Sequence, residues 1–300
     1  MERPNYLGNG KYDFYGSWCA RIMLIKALLI LASIVGVHSF DDDTYKIFIH
    51  NTKGNITREK LTTKKDVGLL DISFATVEAI APDSFCALPN LKTLYINGNT
   101  KFPRVTKQLF QCNAKLTYAT LVANDDSGQE VDRNAFTDLK ELNTLRINGV
   151  ELKRIGKDMF TGLNLEILNL VSCKIGEIDA DAFSNLSNLK ELDLGHNLIK
   201  SFKPGTYQNL PKLNELQLNK NEIGAINWDE WNTLPSLKTI DFGDNHLTVC
   251  DVSKIKEYFP NIHSCNLGDA FNKTRKAEII EESKKLNISI KFIDYYGTYA

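Results

Sequence analysis

Between residues 91 and 245 the chain repeats one spacing seven times: a leucine, an apolar residue three places on, and another two beyond that. In six of the seven units an Asn or Cys follows three places later. The clearest copy is "NLKELDLGHNLIKSF", with Leu189, Leu192, Leu194 and Asn197. An amphipathic helix repeats its apolar residues at three and four, and a half-buried strand simply alternates. This pattern obeys the strand period only from Leu192 to Leu194, as expected for a very short strand held between two corners. The units start at Leu91, Leu116, Leu142, Leu165, Leu189, Leu213 and Leu237, at steps of 25, 26, 23, 24, 24 and 24, with degenerate copies at Val67 and Ile262. Self-similarity at such a period is the mark of a solenoid.

The spacing resembles the leucine-rich-repeat consensus LxxLxLxxN/CxL over most of the chain. A second marker accompanies it: Phe85, Phe110, Phe136, Phe160, Phe183, Tyr207 and Trp231 stand five or six residues before the repeat starts, like the aromatic spine of the extracellular class. The expected fold is α/β, a horseshoe solenoid with a parallel β-sheet on its concave face and short helices or turns on its convex face. One unit buries too few side chains to offset the entropy of ordering its backbone, so stacking is obligatory. At each corner an inward asparagine can satisfy backbone groups that leave the strand ladder. Asn99, Asn124, Asn197, Asn221 and Asn245 take this place and Cys173 substitutes a thiol, whereas Val150 offers no polar atom and predicts a loosened or water-bridged corner.

The N-terminus reads as an address. The apolar run Leu28–Val37 ends in "VHS" before "FDDD", which fits a secretory signal over 1–39 with cleavage after Ser39, an uncleaved anchor being the alternative. Met23 opens a more usual signal, so 1–22 is either a leader extension or the result of a misplaced start. The remaining expectations are an N-terminal cap over 40–66 with a strand in "TYKIFIHN", repeats over 67–249, and an αβ-rich C-terminal cap over 250–300. No later stretch is long and apolar enough for a stable membrane span. Cys86 and Cys112 fall at nearly equivalent places in adjacent units, one strand spacing apart, which suits a disulfide; Cys250 and Cys265 bracket the last return segment and form the second expected pair. Cys173 is then the odd thiol, buried and structural. Sequons at Asn55, Asn185, Asn272 and Asn287 suit glycosylation of a secreted protein.

The register lays a middle column along the concave face: Asp71, Tyr95, Thr120, Arg146, Asn169, Asp193, Gln217, Asp241 and Asn266. Flanking columns add Tyr118, Val122, Ile167 and Val171 early, and Glu191, Glu215 and Asp244 late, so the face passes from aromatic and aliphatic to acidic. The expected partner-binding residues are Tyr95, Tyr118, Thr120, Arg146, Ile167, Asn169, Asp193, Gln217 and Asp241, facing a protein or glycan. Lys+Arg 36 against Asp+Glu 37 gives no electrostatic case for nucleic acid. No HExxH, CxxC or Gly-rich phosphate loop is present, and His196, His246 and His263 join no nucleophile at a converging spacing. The sequence therefore predicts neither enzyme nor cofactor nor metal, Lys220 lying among Asp193, His196, Asp241 and Asp244.

Through its Phe spine and the ending "NHLTVCDVSKIKEYFPNI", the chain resembles secreted insect leucine-rich-repeat proteins, particularly the mosquito leucine-rich immune family. That resemblance implies a haemolymph recognition or scaffolding role in innate immunity. The longer members end in a coiled coil, and Thr274–Leu286 is too short for three heptads. A cell-adhesion or receptor-ectodomain module is the alternative reading.

Overall fold

The computed structural model describes residues 36–39, 45–50, 53–63, 66–99, 104–123 and 131–293; the rest of the expected signal segment, the Asn124 corner and the chain's last residues lie outside these, as does the side chain of Asn99. Sixteen strands can be followed in chain order among the described residues: β1 (Gly36–Ser39), β2 (Tyr45–Phe48), β3 (Lys53–Ile56), β4 (Val67–Ser73), β5 (Thr76–Ile80), β6 (Thr93–Asn99), β7 (Tyr118–Ala123), β8 (Thr144–Asn148), β9 (Arg154–Ile155), β10 (Ile167–Asn169), β11 (Glu177–Ile178), β12 (Glu191–Asp193), β13 (Glu215–Gln217), β14 (Thr239–Asp241), β15 (Ser264–Asn266) and β16 (Ser289–Lys291).

Twelve of them form one sheet in the order β1-β2-β4-β6-β7-β8-β10-β12-β13-β14-β15-β16, parallel throughout except that β1 runs antiparallel to β2. The strands follow chain order because each unit returns to lay its strand beside the previous one. The fold is a leucine-rich-repeat solenoid. In β6 the faces alternate: Leu94 and Ile96 are fully buried while Tyr95 between them is half-buried on the open face. Behind the sheet the repeat leucines and the aromatic spine form one continuous core, with ring centroids 6.2 Å apart for Phe85–Phe110, 5.7 Å for Phe110–Phe136 and 4.8 Å for Tyr207–Trp231.

The convex side carries single 3₁₀ turns, such as Ser84–Ala87 and Lys107–Phe110, and two small two-stranded sheets, β3 with β5 and β9 with β11. The α-helices stand at the ends: α1 (Arg58–Leu61), α2 (Val252–Tyr258) and α3 (Lys273–Lys285). Asp251 caps α2 by accepting from the Ser253 and Lys254 N–H groups, and Asn272 caps α3 by accepting from Arg275 N–H at 2.9 Å. Among the described residues no helix is long and apolar enough to cross a membrane.

The corner asparagines work as their chemistry demands. Asn197 Oδ1 accepts from the Cys173 and Ile175 N–H groups, both at 3.0 Å, while its Nδ2 donates to the carbonyls of Leu170, Leu194 and Gly195. Asn221 and Asn245 repeat the arrangement one unit on each time. Two expectations need correction. The Val150 corner is closed: Val150 is fully buried, Leu152 N–H donates to the Val150 and Cys173 carbonyls, and the Cys173 thiol reaches the Ile147 carbonyl at 3.0 Å. Apolar packing and a neighbouring thiol replace the missing amide there. Cys86 and Cys112 are joined, with Cα atoms 5.0 Å apart, but Cys250 and Cys265 are separate buried thiols. Cys265 fills the inward leucine place of β15, between Ile240 and Ile290, so its side chain is committed to the core stack.

Candidate binding face

The middle column exists as an unbroken register. Asp71 pairs with Tyr95, Tyr95 with Thr120, Thr120 with Arg146, Arg146 with Asn169, Asn169 with Asp193, and then Gln217, Asp241, Asn266 and Lys291 follow on successive strands. The next column, toward the strand starts, runs Thr93, Tyr118, Thr144, Ile167, Glu191, Glu215 and Thr239. All nine residues expected to contact a partner therefore lie on this open face. They are not equally presented, since Thr120 and Gln217 are buried among their neighbours while Tyr95, Tyr118, Arg146, Ile167, Asn169, Asp193 and Asp241 are half-buried.

In the early part, Tyr95 and Tyr118 stand on adjacent strands with ring centroids 5.4 Å apart and tilted by 49°. Burial, with Tyr118 and Asp71 beside it, pushes the Tyr95 hydroxyl up to about 12, so it remains a neutral hydrogen-bond donor at physiological pH. In the later part the middle column is a polar ladder. Asn169 Nδ2 donates to Asp193 Oδ2 at 2.8 Å, and Asn266 Nδ2 donates to Asp241 Oδ1 at 2.9 Å. Burial pushes the Asp193 carboxyl up to about 6 against the lowering pull of Gly195 N–H and Arg146, and Glu215 and Asp241 push the same way as burial. Asp241 is raised for the same leading reason. His196 is lowered by burial and by Lys220, so it is a neutral side chain near pH 7. Among the described residues no three His, Cys, Asp or Glu side chains gather where they could hold a metal ion.

Sequence reasoning placed the middle column and Val122, set Val171 and Asp244 in columns that the shorter strands β10 and β14 do not reach, and left out Asn97 and Asn148. Because β6, β7 and β8 run past the length of the later strands, Asn97, Val122 and Asn148 pair in a third row on the open face. Tyr95, Thr120 and Arg146 lack the short Asx side chain found at the end of four of the five later strands.

This face belongs to a recognisable class. A leucine-rich-repeat family model matches residues 164–223, and a BspA-type leucine-rich-repeat region model matches residues 64–174. Human Toll-like receptor 3 is 31% identical over 166 residues, covering 44% of this chain and 18% of the receptor, and leucine-rich repeat-containing G-protein coupled receptor 5 of Xenopus tropicalis is 33% identical over 119 residues, covering 40% of this chain and 13% of the receptor. The chain thus spans under a fifth of these relatives. Among solved structures, the APL1 leucine-rich repeat domain superposes with TM-score 0.56 at 21% identity, covering 73% of this chain and 53% of that one, and Toll in the Drosophila Toll–Spatzle complex with TM-score 0.65 at 21% identity, covering 80% and 34%. The chain carries a leucine-rich-repeat solenoid, similar in sequence to part of Toll-like receptor 3 and in fold to the APL1 domain.

Proposed function

We propose that this chain is a secreted recognition protein of innate immunity that binds its partner through the open face of the sheet. The observation that carries the reading is the Tyr95–Tyr118 pair: two half-buried aromatic rings side by side on the open face of the sheet. Rigid aromatic area of this kind is what interfaces draw on for binding energy, because few rotamers are lost on contact. The likeness to Toll-like receptors, and to Toll as seen in a complex with Spatzle, supports recognition as the task, and the Cys86–Cys112 disulfide suits an oxidising, extracellular setting. Asn55, Asn185, Asn272 and Asn287 are all exposed, as glycosylation sites must be, and Asn272 caps α3 through Oδ1, leaving Nδ2 for a sugar.

The test is affinity capture from body fluid with the tagged protein and with a Tyr95→Ala/Tyr118→Ala double variant. Loss of a humoral or microbial partner in the variant is the expected result. Unchanged capture removes the tyrosine pair as the contact, and capture of cell-surface proteins alone replaces the immune reading with the adhesion one.

A further inference from the structure

Strands β4, β6, β7 and β8 present a small grid of side chains on the open face. Its rows are Thr93–Tyr118–Thr144, then Asp71–Tyr95–Thr120–Arg146, then Ser73–Asn97–Val122–Asn148. At about 4.8 Å between strands and about 3.3 Å per residue, the part on β6–β8 covers roughly 10 Å by 13 Å. Within it three oxygens are buried without any hydrogen-bond partner: Asn97 Oδ1, Thr120 Oγ1 and Asn148 Oδ1. Asn97 is only 3% exposed and Thr120 only 4%. Buried polar atoms are almost always paired, and leaving one unmet costs on the order of 1 to 3 kcal/mol. Three such atoms among nine neighbouring positions are therefore a concentrated unmet demand for donors, and it lies beside the tyrosine pair.

The chemistry of the grid narrows its ligand. Its charged side chains are one carboxylate, Asp71, and one guanidinium, Arg146, so it favours neither a polyanion nor a polycation. Nucleic acid would need several cations to meet its phosphates. A basic peptide would bring its charge against Arg146. An added strand has nothing to pair with, because every backbone edge in β6–β8 is already used by a neighbour on each side. What fits is a neutral molecule with a flat apolar face and several hydroxyls. The C–H face of a pyranose stacks on a tyrosine ring, its hydroxyls donate to amide and hydroxyl oxygens, and the same hydroxyls accept from a guanidinium.

Resting on the reading of the open face as the binding surface, we propose that the β6–β8 grid is a saccharide site, in which a neutral pyranose lies on Tyr95 and Tyr118 and donates hydrogen bonds to Asn97, Thr120 and Asn148. Its hydroxyls reach those oxygens as the half-buried tyrosine rings turn outward, a rotamer change that is fast for partly exposed side chains.

The experiment uses the full secreted chain with cellohexaose, mannohexaose and chitohexaose as probes, read by saturation-transfer NMR and by isothermal titration. At least one probe binds, Tyr118→Ala weakens it tenfold or more, and Thr120→Val weakens it about fivefold. Thr120→Val is the discriminating variant: removing an unmet buried oxygen at constant shape leaves the melting temperature of the free protein unchanged or raised, while the rise on adding saccharide shrinks. Glu281→Gln, exposed on α3 at the end of the solenoid, leaves saccharide binding unchanged. Binding of none of the three probes overturns the proposal, as does binding indifferent to both Tyr118→Ala and Thr120→Val. If tyrosine-dependent capture of a protein from body fluid persists while all three probes fail, the saccharide site is wrong and the recognition reading stands.

Discussion

The two halves of the sheet are built from the same repeat and end their strands differently. Strands β4, β6, β7 and β8 run seven, seven, six and five residues, whereas β10, β12, β13, β14 and β15 run three each. For four of the five short strands a difference in the middle column accompanies the early ending. In the later half Asn169, Asp193, Asp241 and Asn266 each accept from the backbone N–H two residues on, at 3.3, 3.0, 2.7 and 3.1 Å. Such an Asx turn draws the backbone off the ladder after three residues, and the inward asparagine then closes the corner. In the early half Tyr95, Thr120 and Arg146 hold the corresponding places, and the ladder continues for another pair. The outer-face side chain thus contributes to where a strand ends without deciding it alone, since β13 stops after three residues with Gln217 in the column and β4 runs seven with Asp71.

The largest effect that tests this division is the loss of a later-half corner. Asn197→Ala leaves two backbone N–H groups and three carbonyls without their shared amide. We expect a loss of roughly 3 kcal/mol, the upper end for an unsatisfied buried group, measured by urea unfolding. A negligible shift would mean that packing alone holds the later corners, as it does at Val150, and the contrast between halves would fall.

Much of this was open to a reading of the sequence, and what escaped has identifiable reasons. The leucine columns, the spine from Phe85 to Trp231 and the later asparagine corners were legible because each recurs at a fixed offset, and recurrence separates signal from composition. The disulfide between Cys86 and Cys112 followed from equivalent places in adjacent units. The free state of Cys265 did not, because its role as the inward residue of β15 shows only once a degenerate unit is in register. Apart from Val122, the third row of the face escaped for a different reason: strand length depends on a local competition between ladder and corner, and no periodic pattern records its outcome. The burial of Thr120 depends on the neighbours it meets across strands, which a single repeat does not contain.

A smaller effect sharpens the comparison through pH. The Asp193 carboxyl titrates near 6 in the folded chain and near 3.9 when unfolded, so the folded state holds its proton more tightly. The stability this gives is fully present below about pH 4, declines as pH rises toward 6 and is absent above it. Asp193→Asn removes the charge and keeps an oxygen for the Gly195 N–H. It should therefore stabilise the protein by about 2 kcal/mol at pH 8 and by almost nothing at pH 4, read as the difference between the two melting curves. The opposite dependence would show that Asp193 is stabilised as a carboxylate by its ladder, and that the acidic half is held together by charge.

The smallest effect concerns a feature common to both halves. The residue just before the corner is left-handed in all but one of the units from Leu91 to Leu237: Gly98 and Gly149 have φ of 63° and 72°, and Ser172, His196, Lys220 and Asp244 have φ of 57°, 57°, 53° and 51°, while Ala123 stays in β7. An L side chain in that region costs about 1 to 2 kcal/mol, which glycine avoids while losing more entropy on folding. Two of the early units carry glycine here, and at Gly149 an added Cβ would fall 2.5 Å from the Ala123 carbonyl oxygen, so close stacking as well as conformation demands it. The later units carry side chains at this place, Ser172, His196, Lys220 and Asp244. Lys220→Gly should then raise stability by up to about 1 kcal/mol, the strain relieved less the entropy lost, whereas Gly149→Ala should lower it by at least that amount. Equal and small effects at both positions would mean that the corner backbone relaxes freely, and that the asparagine amide alone sets its shape.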